Sequence, residues 1–397
     1  MTTLLVIFWI ALFIVFYTYL GYGILLYLLV RAKEIFKKQT ILSLPDSQLL
    51  PDVTLFITAY NEEDVVDEKM RNCLALRYPE DKLQIVWVTD GSTDGTNERL
   101  KTNWERATVY YEPARRGKTA AMTRGMEFVR TPLVVFTDAN TMLNEDAIRE
   151  IVLAFQDPKV GCVAGEKRIA VQTADGAAAS GEGLYWKYES TLKALDTRLY
   201  SAVGAAGELF AVRRELFEAM EPDTLLDDFI LSMRLTMKGY KIAYCKDAYA
   251  IENGSANMQE EEKRKVRIAA GGLQSIWRLR PLLNPFKYGT LSFQYVSHRV
   301  LRWSVTPFFL FLLLPLNVAL LCLGASPVLY GALLVGQLLF YVLGLWGYYL
   351  STKQIKNKYL YIPYYFLFMN INVLKGIRYL YRRKGSSSGA WEKAKRA

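Results

Sequence analysis

Three apolar runs end in residues that can do chemistry. Val53-Thr54-Leu55-Phe56-Ile57-Thr58 leads into Ala59-Tyr60-Asn61-Glu62, Leu83-Gln84-Ile85-Val86-Trp87-Val88-Thr89 into Asp90, and Leu133-Val134-Val135-Phe136-Thr137 into Asp138-Ala139-Asn140. Further on, Phe210 to Val212 follows Gly207-Glu208-Leu209, and Asp227-Asp228 opens another segment. Asp, Asn and Gly end strands simply because they turn well, but three acidic positions in this arrangement argue for more. A carboxylate fixed at a strand end is preorganised, and hard divalent cations prefer such oxygens. Two adjacent carboxylates such as Asp227 and Asp228 repel, so burial raises one toward the range of a useful general base. Asp227 also suits the cap of the helix that follows.

These residues need a scaffold that gathers them. The β-branched apolar runs read as buried parallel strands. Between them lie helical stretches at Asp64 to Leu76 and Thr119 to Val129, and a short strand at Thr108 to Tyr111. Strand–helix alternation predicts a doubly wound sheet with right-handed crossovers, whose ligands collect at the carboxyl ends of the strands. Val171 to Ser201 breaks the alternation and predicts an inserted helical segment over the site. A helix over Asp227 to Met237 and an edge strand at Lys241 to Tyr244 complete the globular part.

The flanks differ in kind. Leu4 to Val30 holds no charged residue, longer than the ~20 residues that cross a bilayer as a helix. It lacks the basic start and cleavage site of a secretory signal, so it reads as a permanent anchor. Ser304 to Gly324 and Pro327 to Leu350 read as a helical hairpin. Arg31, Lys33, Lys37 and Lys38 after the first span, and Lys353, Lys356 and Lys358 after the hairpin, put both sets on the cytoplasmic side. Glu260 to Leu283 reads as an amphipathic surface helix. Tyr359 to Tyr381, followed by a basic tail around Ser386-Ser387-Ser388-Gly389, reads as an in-plane or re-entrant helix. The organisation is therefore 1–32 membrane helix, 33–259 globular α/β domain after a linker at Leu42-Ser43-Leu44-Pro45, 260–303 interfacial helices, 304–350 hairpin, and 351–397 interfacial helix and tail. The 397 residues carry a formal charge of +10, much of it beside membrane segments where anionic lipid would meet it; nucleic acid is not the expected partner. Four unpaired-looking cysteines and one histidine, His298, exclude a zinc site or disulfide framework. Gly117-Lys118-Thr119 is no phosphate loop, because the first glycine of that motif would fall at Glu112.

The series Ala59-Tyr60-Asn61-Glu62, Asp90-Gly91-Ser92-Thr93-Asp94-Gly95-Thr96, Asp138-Ala139-Asn140, Gly207-Glu208-Leu209-Phe210 and Asp227-Asp228 resembles membrane-bound glycosyltransferase family 2, the cellulose, chitin and hyaluronan synthase branch. The resemblance implies an α/β GT-A fold, a doubly wound mixed sheet inserted between transmembrane helices. It implies an inverting transfer from a nucleotide-diphosphate sugar, with UDP expected, to a saccharide acceptor in exopolysaccharide synthesis, and Mg2+ or Mn2+ as cofactor. On this chain it assigns Asp228 as base, Asp138 and Asn140 as metal ligands, and Tyr60, Glu62, Asp90, Lys118, Asp138, Arg264 and Arg267 as donor contacts. Gly207, Glu208, Asp227 and Trp186, with Tyr188 beside it, face the acceptor. Arg116-Gly117-Lys118 resembles the family's basic nucleotide-contacting turn. Asn140 stands where the family has a second Asp, and Arg264-Lys265-Val266-Arg267-Ile268 lacks the tryptophan of the polymerising motif. The implied place is a bacterial inner membrane with the catalytic domain cytoplasmic, among membrane lipids, with a second copy or a secretion protein as further partner. Two rivals stand beside this reading: transfer to a polyprenyl-phosphate or other lipid-linked acceptor, and a non-catalytic sugar-nucleotide-binding subunit.

Overall fold

The computed structural model describes residues 1–36, 50–170, 177–255, 257–353, 355 and 357–383. The linker around Ser43, Lys37, Lys38, Lys356 and the serine-rich tail lie outside the described residues.

Eight strands form one sheet: β1 Val53–Ala59, β2 Leu83–Asp90, β3 Ala107–Glu112, β4 Leu133–Asp138, β5 Thr141–Leu143, β6 Val160–Ile169, β7 Leu209–Arg213 and β8 Lys241–Glu252, in the spatial order β3-β2-β1-β4-β7-β6-β8-β5. The β3-β2-β1-β4 half is parallel, β7 runs antiparallel to both β4 and β6, and β6 and β8 pair in parallel. The parallel strands are apolar on both faces because helices cover both. Leu55, Ile57, Ile85, Trp87 and Val135 pack into one layer; Phe56, Val86, Val88, Val134 and Phe136 pack into the other with Phe210 and Met122. Helix Lys118–Met126 sits so close to the sheet that a Cβ on Gly125 would lie 2.4 Å from the Phe56 ring.

Two elements differ from the sequence reading. The expected edge strand at Lys241–Tyr244 runs on to Glu252 and lies between β6 and β5, so it is internal. Its length was hidden by a register shift opposite Gly165 and Glu166. The helix from Asp227 to Met237 takes Leu226 as its cap, with Asp227 and Asp228 in the first turn; Asp227 does not cap it. The acidic pair still favours that end of the helix dipole.

Among the described residues three helices are long and apolar enough to cross a membrane: Thr2–Phe36, Val305–Cys322 and Pro327–Thr352. They turn large apolar side chains outward, Phe13, Phe16, Leu20, Val335, Leu345 and Trp346 among them, a pattern suited to lipid. Helix Lys358–Arg383 is continuous and lies along Pro327–Thr352, where a Cβ on Gly347 would strike the Leu360 carbonyl oxygen at 2.2 Å. Its second half packs on helix Met258–Arg278 through Gly376 and Ala269. That contact buries Glu261, Arg264 and Lys265, so this face of the helix is an internal seam.

The inserted segment is the helix Ala177–Leu199, and its carboxyl end ties the α/β domain to the first apolar helix. Lys33 Nζ donates to the carbonyls of Arg198 and Leu199 at 2.7 and 2.6 Å, a cation on orphan carbonyls at a helix end. Deeper in, Glu189 receives Arg299 at 2.9 Å, Arg302 and His298, while Asp196 receives Tyr22, Gln294 at 2.9 Å and His298 at 2.6 Å. Every charge in this buried knot has a counter-charge or donor, as burial requires.

Candidate active site

In the parallel register Asp138 stands opposite Thr58, and Ala59 opposite Thr89, one residue before Asp90. Both acids therefore emerge at the same carboxyl edge of the sheet. Asp90 is buried, and its carboxylate accepts the backbone N–H of Arg116 at 3.0 Å and of Gly117 at 2.6 Å, with Arg124 at 3.7 Å. It thus holds the turn that precedes Lys118, where Gly117 has φ +94° and needs no Cβ. Beside it opens a shallow crevice lined by Tyr60, Asp90, Arg115, Gly117 and Lys118. Arg115 stacks over the Tyr60 ring at 3.7 Å. Of the turn Arg116-Gly117-Lys118 singled out in the sequence, Gly117 and Lys118 line the crevice, together with Arg115, which the sequence reading did not name. Glu62 is buried at the start of helix Glu63–Leu74.

Lys118 joins the two halves of the site. Its ammonium lies 2.7 Å from Asp138 and 3.6 Å from Asp227. Burial opposes its charge, but Asp138 and Asp227 outweigh it and hold the lysine charged well above its usual range. Gly207 lies between Lys118 and Asp228: a Cβ there would sit 3.4 Å from the one and 3.5 Å from the other, filling the gap. Asp228 accepts the Phe229 N–H at 2.8 Å. Burial first, then the charges of Asp227 and Glu208, push its carboxyl up to about 7, with Lys118 pulling the other way.

Glu208 is held by Lys167, which also reaches Glu252. Burial would raise Glu208, yet Lys167 and then Arg264 keep it well below the usual carboxylate range. Arg264 is committed to Glu261 at 3.2 Å and Glu252 at 3.9 Å, inside the seam. Arg267 instead feels Asp227 and Asp138, and among the described residues its buried Nε has no hydrogen-bond partner. Trp186 stands over Lys167 at 5.2 Å, whereas Tyr188 turns away and donates to the Tyr19 carbonyl at 2.7 Å.

The sequence reading missed Lys69, Lys167 and Lys193. Lys69 is fully buried beneath Asp138, donating to Thr137 Oγ1 at 3.1 Å and the Thr141 carbonyl at 2.5 Å; burial brings it down to about 8. Thr137 in turn donates to the Glu208 carbonyl at 2.9 Å, tying the end of β4 to the turn that precedes β7. Among the described residues no three His, Cys, Asp or Glu side chains form a ready metal cage. Asp138 and Asn140 nonetheless offer two hard oxygens two residues apart, and Asp138 already draws a cation, the Lys118 ammonium.

A parallel half-sheet with acids at its carboxyl edge, extended by mixed strands that bring a second acidic pair, defines the GT-A class. The chain belongs to glycosyltransferase family 2: the model described as "Glycosyltransferase like family 2" matches residues 51–271. It is 27% identical over 239 residues to poly-beta-1,6-N-acetyl-D-glucosamine synthase of Staphylococcus aureus strain MSSA476, covering 58% of this chain and 56% of that one. The synthase of the same name from Staphylococcus epidermidis is 25% identical over 267 residues, 64% of this chain and 62% of that one. The chain thus spans little more than half the length of these relatives. A solved mannosyltransferase from Pyrobaculum calidifontis, in complex with GDP-Man and Mn2+, superposes with TM-score 0.71 at 23% identity, covering 96% of this chain and 99% of that one, a likeness of fold that includes the apolar helices.

Asp90→Asn replaces the acceptor of two backbone N–H groups with an amide that accepts through one oxygen. We expect nucleotide affinity to fall by about tenfold or more, the scale of one lost charge-assisted bond, with kcat less affected. Calorimetric titration with UDP checks this.

Proposed function

We propose that the chain transfers a sugar, with inversion, from a nucleoside-diphosphate donor to a saccharide acceptor at the cytoplasmic face of a bacterial plasma membrane, in exopolysaccharide synthesis. The observation that carries this is the meeting of Asp138, Asp227 and Asp228 around Lys118, next to the crevice beside Asp90. Tyr60 and Arg115 would hold the base, and the turn pinned by Asp90 would present backbone N–H groups to the nucleotide. Lys118 and Arg267 would take the charge of the departing diphosphate, for which the unpartnered Arg267 Nε is suited. Asp228 would accept the proton of the acceptor hydroxyl as its oxygen bonds to the anomeric carbon and the bond to phosphate breaks on the opposite face. The single displacement accounts for inversion. Glu208 and Gly207 would floor the acceptor.

Asp138, with Asn140 beside it, would hold Mg2+ or Mn2+. Such a cation supplies Lewis-acid stabilisation of the leaving diphosphate. The Pyrobaculum calidifontis neighbour, in complex with GDP-Man and Mn2+, supports both a nucleoside-diphosphate donor and a divalent cation. Stripping divalent cations with EDTA is expected to abolish transfer and Mn2+ to restore it. Asn140→Asp adds a carboxylate and should lower the Mn2+ needed for half-maximal rate by about an order of magnitude, since affinity follows ligand charge; full activity in EDTA would defeat the cation assignment.

The deciding test is to assay purified full-length protein against a panel of UDP- and GDP-sugars with Mn2+ and to size the product. A long polymer supports synthesis of an exopolysaccharide; a single addition that extracts into organic solvent moves the reading to a lipid-linked acceptor. Nucleotide binding without turnover would leave only the binding-subunit reading.

A further inference from the structure

Behind the acids of the proposed site lies a cluster whose three lysines the transfer reading leaves unused. Trp186, half-buried on helix Ala177–Leu199, has three ammonium groups around its ring: Lys167 at 5.2 Å, Lys193 at 5.6 Å and Lys265 at 6.0 Å from the centroid. Lys167 is bound to Glu208 and Glu252, and Lys265 to Glu261 at 3.3 Å. Lys193 differs. It is 3% exposed, and among the described residues it makes no hydrogen bond or ion pair, only ring contacts with Trp186 and with Tyr244 at 6.0 Å.

The carboxylates that feel its charge are Glu189, Glu166 and Glu208, and each is already taken. Glu189 holds Arg299, Arg302 and His298; Glu166 accepts from Ser190 at 2.7 Å and from Tyr244; Glu208 holds Lys167. Burial, then the nearby Arg299, weakens the hold of Lys193 on its proton. A buried cation without a partner is unfavourable unless something supplies the missing negative charge. Lys167 places the Trp186 ring one side chain away from Glu208, on the acceptor side. The helix that carries Trp186 and Lys193 also packs on the first membrane helix, where Tyr188 meets Tyr19.

We propose that Lys193 and Trp186 form an acceptor subsite in which the indole ring stacks on a sugar and the Lys193 ammonium binds an oxyanion carried by the acceptor, a phosphate or a carboxylate. The word "acceptor" rests on the transfer reading above; the site itself does not. Two sources share this chemistry: the phosphate of a lipid-linked saccharide and the carboxylate of a uronic-acid saccharide.

Equilibrium binding to the detergent-solubilised full chain, in EDTA, tests it with matched probes. One pair is N-acetylglucosamine joined to farnesol through a diphosphate and the same sugar joined by an ether; the other is a glucuronic-acid oligosaccharide and its neutral glucose counterpart. In the native protein one charged probe is expected to bind at least about tenfold tighter than its neutral twin, the scale of one charge-assisted contact. Which pair shows the preference identifies the source. Lys193→Met should bring that ratio near one, and Lys193→Arg should keep most of it; a ratio within one protein is insensitive to loss of folded material. Equal binding of both members of each pair by the native chain, or a preference that survives in Lys193→Met, overturns the subsite. Charge-selective binding by a chain that transfers no sugar would retain the subsite and remove the transferase reading; sugar transfer without charge selectivity would do the reverse.

Discussion

Asp228→Asn is expected to lower the rate of sugar transfer by about 10²–10⁴-fold, the contribution of a general base, while nucleotide affinity stays within about twofold. The variant keeps the shape of the site and removes only the ability to take the acceptor proton. Asp228 makes this claim specific because its carboxyl is pushed up to about 7 by burial and by Asp227 and Glu208. Only the ionised form is a base, so kcat/KM of the native chain should rise with pH below about 7 and level off above it. The same shift fixes the sign of its effect on stability. The folded chain keeps a proton on Asp228 at pH values where the unfolded chain, with an ordinary Asp pKa of about 3.9, has lost it. Its contribution therefore declines as pH rises from about 4 to about 7 and stays low above. At pH 8 Asp228→Asn, which removes the repulsion, should unfold at a higher temperature than the native chain. Retained turnover, or loss of nucleotide binding alongside turnover, would remove Asp228 from the role of base.

That prediction was reachable from the sequence because the acids announce themselves. The strands ending near Asp90 and Asp138 are buried on both faces and read as unbroken apolar runs, so their ends, and the acids there, stand out. β6 gives no such signal: Gly161, Gly165, Glu166 and Lys167 interrupt it, and its pairing with β8 is set by partners far away in the chain. Helix Met258–Arg278 misled for a related reason. Its charges were read as a solvent or headgroup face; Lys263 is exposed, but helix Lys358–Arg383 packs on the other side, where Glu261, Arg264 and Lys265 neutralise one another inside. Lys69, Lys167 and Lys193 show the same limit most sharply. A single lysine on a strand or helix reads as surface, and only tertiary contact reveals one as buried.

Lys167→Met should cost about 3–5 kcal/mol, the usual cost of removing one partner of a buried ion pair, and is the largest stability loss expected of any substitution at the site. The Lys167 ammonium is enclosed between Glu208 and Glu252, and Glu252 is only 1% exposed. Methionine fills most of the volume but leaves two carboxylates facing each other, with Arg264 at 3.9 Å from Glu252 as partial relief. Thermal unfolding should therefore fall by several degrees. The double variant Lys167→Met, Glu252→Gln should recover part of it, because one of the stranded charges is gone; a double-mutant cycle measures that coupling directly. The two sites are linked electrically as well. Without Lys167, Glu208 takes up a proton more readily, and a neutral Glu208 no longer raises Asp228. The acidic limb of the pH–rate profile should then move to lower pH in whatever fraction of Lys167→Met remains folded. An unchanged unfolding temperature would mean that water, not Lys167, neutralises these carboxylates, and the profile would then stay where the native chain has it.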